Sequence, residues 1–268
     1  MKLFTGGRLK KHKSAKDWPT TAQDLFASYE ESFPSQQNAV DLIPGWSTAF
    51  PTEFALKAGN LPLFADARIH WAIEQFGDLK GSRVLELGPL EAAHTTMLNA
   101  AGAHVEAIEA NKLAYLKCLI SKEVYQLSNT RFYLGDFVQW LEKTDTTYDL
   151  IVASGVLYHM RDPLRLLQAM AKKTHTIYLW TVCVENDELE PTKIETINGV
   201  PARLYARHYG PGKESQSFCG GMVDRPYWMH RNDILAVLKS FGFSNITIAH
   251  EEPEHLHGPC FSIFAKAD

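Results

Sequence analysis

Apolar residues along the middle of the chain fall into two alternating patterns. Short continuous runs, each long enough for one buried strand, occur at Arg83–Leu87, His104–Glu109, Arg131–Leu134, Tyr148–Ser154 and Thr176–Val182. Between them, apolar positions recur at helical spacing. Asn60–Phe76 carries Ala65, Ile69, Ala72, Ile73 and Phe76; Asn111–Glu123 carries Leu113, Leu116, Cys118 and Ile120; Pro163–Lys172 carries Leu164, Leu166, Leu167 and Met170. A further helix is predicted from Asn232 or Asp233, with Ile234, Leu235, Val237 and Leu238 on its apolar side and Gly242 as its stop. Two more strands, Ser244–Ala249 and Cys260–Ala265, close the chain. Strands alternating with helices predict an α/β fold built on a mostly parallel sheet. Upstream, Asp17–Ser32 has a short helical pattern with Leu25, Phe26 and Tyr29 on one face. Prolines at 34, 44 and 51 then break the chain beside Phe33, Trp46 and Phe50. This segment reads either as a flap over a site or as a strap packed on the core, with Trp46 and Phe50 as its anchors.

The stretch Arg83 to His94 joins the first strand to the opening of a helix through Gly88-Pro89. A glycine there lets the backbone turn sharply and approach a ligand, because any Cβ obstructs both. The next run ends on Glu109, placed to accept hydrogen bonds from ribose hydroxyls. A dinucleotide site needs further glycines beside the pyrophosphate, whereas this turn has Leu90, Glu91 and Ala93, with Glu91 adding negative charge. An adenosine ligand without phosphates fits better, and S-adenosylmethionine is the common one.

The acid-x-Gly triplet Glu86-Leu87-Gly88 resembles the first motif of class I S-adenosylmethionine-dependent methyltransferases, although Gly88-Pro89-Leu90-Glu91-Ala92 replaces the usual Gly-x-Gly turn. The resemblance spans about 60–179 and then 232 to the end. It implies a Rossmann-like sheet with helices on both faces and an antiparallel pair at its carboxyl-terminal edge. It also implies a cofactor site built from Glu86, Gly88, Pro89 and Leu90, from Glu109, Ala110 and Asn111 after the second strand, and from Ser154 and Gly155 after the fourth. Asp136 in Gly135-Asp136-Phe137 resembles the acid that binds the adenine amino group, with Phe137 against the ring. Arg68 is either the partner of the methionine carboxylate or a surface arginine. Gly155-Val156-Leu157-Tyr158-His159 and Pro163 look most like the segment of tRNA wobble-uridine carboxymethyltransferases, and Tyr158 and His159 become the candidate catalytic residues. His159 has the chemistry of a base for a hydroxyl or amine proton, or of a positioning group.

Roughly 45 residues, at about 184–230, separate the fifth strand from the next helix, too many for a plain connector. Their aromatic and charged side chains, including Tyr205, Arg207 and Trp228, make this insertion the expected seat of acceptor choice, with Trp46 as a further candidate. The leading reading is methyl transfer to an oxygen or nitrogen of a small polar or sugar-like metabolite. The alternatives are tRNA wobble-uridine (carboxy)methylation and a non-catalytic cofactor-binding subunit.

Composition narrows this little. The chain of 268 residues has 27 Lys and Arg against 31 Asp and Glu, a net charge of −4, which gives no broad grip on nucleic acid. Lys2, Arg8, Lys10, Lys11, Lys13 and Lys16 make a basic arm of residues 1–16, the one feature favouring tRNA. Residues 17–60 read as a cap segment and 61–268 as the methyltransferase domain. Four scattered cysteines and no membrane-length apolar run predict reduced thiols and a cytoplasmic protein without a membrane partner. His250, Glu251, Glu254, His255 and His257 match no zinc spacing, so no catalytic metal is expected.

Overall fold

The computed structural model describes residues 29–208 and 221–267. The basic arm and most of the helix expected at 17–32 lie outside them. Seven strands form the main sheet: β1 (Arg83–Leu87), β2 (His104–Glu109), β3 (Thr130–Leu134), β4 (Leu150–Ser154), β5 (Thr176–Val182), β9 (Asn245–Glu252) and β10 (Cys260–Lys266), in the spatial order β3-β2-β1-β4-β5-β10-β9. The first five are parallel and β10 is antiparallel to both of its neighbours. This is the mostly parallel α/β sheet that the alternation predicted, with the antiparallel carboxyl-terminal edge that the resemblance implied. Along β1 and β4 successive side chains enter opposite apolar layers: Leu85, Leu87, Ile151 and Ala153 on one face, Val84, Leu150 and Val152 on the other. A parallel sheet covered on both faces requires such uninterrupted apolar strands. Strand order reverses between β1 and β4, so their carboxyl ends open the crevice where ligands of such sheets bind.

The helices are α1 (Gln36–Leu42), α2 (Ala67–Phe76), α3 (Ala93–Ala100), α4 (Lys112–Tyr125), α5 (Phe137–Lys143), α6 (Pro163–Ala171) and α7 (Arg231–Ser240). Local chemistry sets their starts. Asp66, Asn111, Asp136 and Asp162 each accept a backbone N–H of the first turn, and Pro163 fills the first position of α6. Two starts differ from the periodicity. The segment from Asn60 is not helical until Ala67, because Pro62 leads into a 3-10 turn at Leu63–Ala65 and Asp66 supplies the cap. α7 begins at Arg231 because the His230 ring, rather than Asn232 or Asp233, accepts the first-turn N–H. β4 starts later than expected, with Tyr148 bridging singly to Thr174, and β9 runs on to Glu252.

The insertion forms a second antiparallel sheet in the order β6 (Lys193–Ile197), β7 (Val200–Ala206), β8 (Tyr227–Met229). Ala202, Leu204 and Met229 join the main core, so this sheet is seated rather than loosely tethered. The N-terminal segment is a strap. Phe50 packs on Trp46, Phe64 and Tyr125 with ring centroids 5.4, 5.4 and 6.1 Å away.

Candidate active site

The turn after β1 keeps a glycine-like backbone almost without glycine. Gly88 has φ +65°, and a Cβ there would lie 2.8 Å from Val156 Cγ1. Leu90 at φ +55° and Ala92 at φ +66° are left-handed although neither is glycine. That conformation costs a non-glycine residue roughly 1–2 kcal/mol. Several bonds hold it. Leu90 N–H donates to Glu109 Oε2 at 3.0 Å and Ala92 N–H to Pro89 O at 2.9 Å. Glu91, read from the sequence as a charge beside the ligand, points the other way. Its buried carboxylate accepts Ser47 N–H at 2.9 Å, Thr48 N–H at 2.7 Å and Lys117 Nζ at 2.8 Å, and Lys117 also donates to Gly45 O at 2.5 Å. The strap therefore clamps the turn. Gly88→Ala is expected to weaken S-adenosylhomocysteine binding at least about tenfold in calorimetry, because its methyl meets Val156 and its φ is unfavourable.

Two carboxylates converge on this turn. Glu109 Oε1 accepts Asn111 N–H at 2.8 Å; burial raises its pKa and the backbone donors of Asn111 and Leu90 offset part of that. Glu86, 2% exposed, accepts the Thr95 hydroxyl, and burial pushes its carboxyl up to about 7. Beside them Asp66 receives Arg68 Nε at 2.9 Å and Nη2 at 2.5 Å and lies 2.9 Å from His94 Nε2. Burial alone would raise the Asp66 carboxyl, but His94 and Arg68 outweigh it and hold it well below the usual range. Arg68 is thus neither free nor a plain surface residue: its guanidinium lies 4.4 Å over the Trp180 ring. Asp136 spends Oδ1 on Val138 N–H at 2.8 Å, while among the described residues its Oδ2 has only a 3.5 Å contact with Gln139. Phe137 packs at the core edge.

Past β4, Gly155 adopts φ +81° and leads into a 3-10 turn at Leu157–His159. The Tyr158 ring lies 4.2 Å from His159, 6.0 Å from Trp180 and 6.4 Å from Trp228. Burial lowers the His159 pKa to about 4, so its imidazole is neutral at pH 7. The insertion covers this turn. Tyr227 N–H donates to Met160 O at 2.9 Å, and a Cβ on Gly221 would lie 2.8 Å from that of His159. Arg207 stacks 4.2 Å over Trp228, whose cross-strand partner is Tyr205. The hairpin between β9 and β10 closes the other side, with Gly258 fitted against Trp228 and His255 6.1 Å from Trp180.

The structure thus brings Tyr158, His159, Arg207 and Trp228 together, with Tyr205 on the same sheet face. Trp46 is not among them, because its indole N–H donates to Val40 O at 2.9 Å inside the strap cluster. Three participants carried no signal in the sequence. Trp180 fell within the apolar run at 176–182, Asp66 within the helical pattern at 60–76 and Lys117 within that at 111–123, and no motif marked any of them. A polar hollow of about 460 Å³ lined by Arg83, His104, Lys122 and Arg131 lies at the amino ends of the strands, away from all of this chemistry.

Comparison with known proteins decides the family. A family profile described as a methyltransferase domain matches residues 63–248. The chain belongs to that methyltransferase family. The methyltransferase is similar to the N-terminal domain of EvdMO1, whose crystal structure was obtained in the presence of SAH and D-fucose. They share 25% identity over 87% of this chain and 95% of that one, with a TM-score of 0.67. Against the longer EvdMO1 structure the identity is 24% and the TM-score 0.60, and this chain spans 46% of its length. WbdD, at 14% identity and a TM-score of 0.55, shares the fold. No curated protein matches the chain significantly. The methyltransferase uses S-adenosylmethionine, and the residues at the crevice suit it: a close-approach turn at Gly88, a buried carboxylate at Glu109 and a cap carboxylate at Asp136. Among the described residues no helix is long and apolar enough to cross a membrane.

Proposed function

We propose that the enzyme methylates a hydroxyl of a small sugar-like acceptor held between the Tyr158-His159 turn and the insertion. The observation that carries this reading is the aromatic cluster at the carboxyl end of β4, where the Tyr158 ring packs on the neutral His159 imidazole and on Trp180 and Trp228, with Arg207 stacked over Trp228. Aromatic faces with polar edges suit a ring that is apolar on one side and hydroxylated at its rim. D-fucose, present with the N-terminal domain of EvdMO1, is of this class. The strap acts as the cap that fixes the cofactor turn through Ser47 and Thr48, and the sheet of β6, β7 and β8 as the acceptor-selecting element.

S-adenosylmethionine supplies an electrophilic methyl on a positively charged sulfur. Glu109 orients the ribose, Asp136 Oδ2 takes the adenine amino group, and the Gly88–Leu90 turn shapes the methionine end. The aromatic walls align the acceptor oxygen and exclude water, which is the main catalytic contribution. His159 accepts the hydroxyl proton, and a neutral imidazole is competent for that without first losing a proton of its own.

His159→Gln is expected to reduce kcat by about 10²- to 10⁴-fold while leaving S-adenosylhomocysteine affinity within about threefold, since the imidazole acts on the acceptor. In the wild type the acid limb of kcat/KM should fall near pH 4, where His159 gains its proton, rather than near its ordinary 6.5. The linked stability has the same direction. Between pH 6.5 and 4 the unfolded chain takes up this proton before the folded one, so acid weakens the fold across that window. A kcat of the variant equal to that of the wild type would remove His159 from the proton transfer.

A further inference from the structure

The chain turns sharply between β9 and β10 and brings together three side chains that no sequence spacing joins. Glu252, the last residue of β9, is the register partner of Cys260, the first of β10. His255 lies in the loop between them, where its own N–H donates to Glu252 O at 3.4 Å and Gly258 N–H donates to its carbonyl at 2.9 Å. As a result one carboxylate oxygen, one imidazole nitrogen and one sulfur all lie within 4.8 Å of one another.

We propose that Glu252, His255 and Cys260 form a binding site for a zinc-class divalent cation at the rim of the acceptor pocket. The ligand set is the first reason. A thiolate and an imidazole select zinc and its thiophilic neighbours over magnesium or calcium, and the carboxylate completes a three-ligand set of the kind zinc accepts. Geometry is the second. Zinc bonds of about 2.0–2.3 Å place tetrahedral ligand atoms roughly 3.3–3.6 Å apart, so the three atoms need to close by only about 1 Å. Accessibility is the third: Cys260 is 3% exposed, His255 half-buried and Glu252 exposed, which leaves a route from solvent to a sulfur held in place by the sheet. Among the described residues the Glu252 carboxylate makes no hydrogen bond or ion pair that competes with a cation.

Binding changes a bond of the His255 ring. His255 Nδ1 now accepts His257 N–H at 3.2 Å. Ligation through Nδ1 displaces that donor, and ligation through Nε2 puts the ring proton on Nδ1, so the bond is lost either way. With three protein ligands, a fourth position remains for water or an acceptor oxygen. The bound ion fixes the hairpin whose Gly258 and His255 face Trp228 and Trp180. The site stands whether or not the acceptor is a sugar.

The test is cobalt(II) titration of the purified full chain, reading the ultraviolet thiolate-to-cobalt absorption, with zinc competition by calorimetry. The proposal predicts one equivalent of cobalt with the thiolate band, displaced by zinc. The band is absent in Cys260→Ser, and zinc affinity is at least about tenfold weaker in His255→Ala and in Glu252→Gln, whose changes lie in or beside the loop and spare the core. Cys260→Ser removes a buried sulfur, so its fold is checked by circular dichroism and S-adenosylhomocysteine affinity. No thiolate band in the wild type overturns the proposal, as does zinc affinity unchanged in both loop variants.

Discussion

Glu109→Ala is expected to remove S-adenosylhomocysteine binding almost entirely, by about 100-fold or more in the dissociation constant. Two ribose hydroxyls donating to one carboxylate are each worth roughly 1.5–3 kcal/mol, and about 1.4 kcal/mol is a factor of ten. The carboxylate also accepts the N–H groups of Leu90 and Asn111, so its loss loosens the turn and the start of α4 together. Isothermal calorimetry of wild type and variant checks this. A Glu109→Gln variant separates the roles. An amide oxygen still receives one backbone N–H, so the turn recovers in part while ribose affinity stays low. If Glu109→Ala binds S-adenosylhomocysteine as the wild type does, the acid at the end of β2 does not hold the ribose.

The second large effect is on stability. Glu91→Ala leaves Lys117, 1% exposed, as a charge without its partner in the interior, and also strips Ser47 and Thr48 of the acceptor for their N–H groups. Breaking a buried ion pair from one side costs about 3–5 kcal/mol. Urea unfolding should register that loss in the midpoint. The double variant Glu91→Leu with Lys117→Met should recover much of it, since a well-packed apolar pair replaces two desolvated charges. Recovery of stability without recovery of cofactor affinity is the expected result for the double variant. The left-handed Leu90 and Ala92 then lack the clamp that the strap provides through Glu91. Equal stability of Glu91→Ala and wild type would mean that the pair does not organise the turn.

The parts of the fold legible in the sequence are those fixed by local rules. Each strand of the parallel half is an apolar run because both its faces are buried, and β2 and β5 have the bounds that the runs gave. The acids at the strand ends were legible for the same reason: a polar residue closing an apolar run marks the edge of the crevice. What escaped depends on contacts between distant segments. Glu91 read as a charge beside the ligand because its direction is set by the positive φ of Leu90 and by Lys117, 26 residues away. The insertion showed only its composition, since β6 and β7 are part-exposed and interrupted by polar residues or proline, and β8 has only three residues. Trp46 had the chemistry of an acceptor wall, but its indole is used inside the strap. The grouping of Glu252 with Cys260 follows from hairpin register, which spacing along the chain does not encode.

Transfer of a labelled methyl group from S-adenosylmethionine, followed across free 6-deoxyhexoses, nucleotide-linked sugars, amines and bulk tRNA, identifies the acceptor. An O-methylated sugar is expected among the products, formed by the wild type and lost in His159→Gln and Trp228→Ala. Methyl transfer to tRNA or to amines, with every saccharide inert, would contradict the proposed sugar-like acceptor.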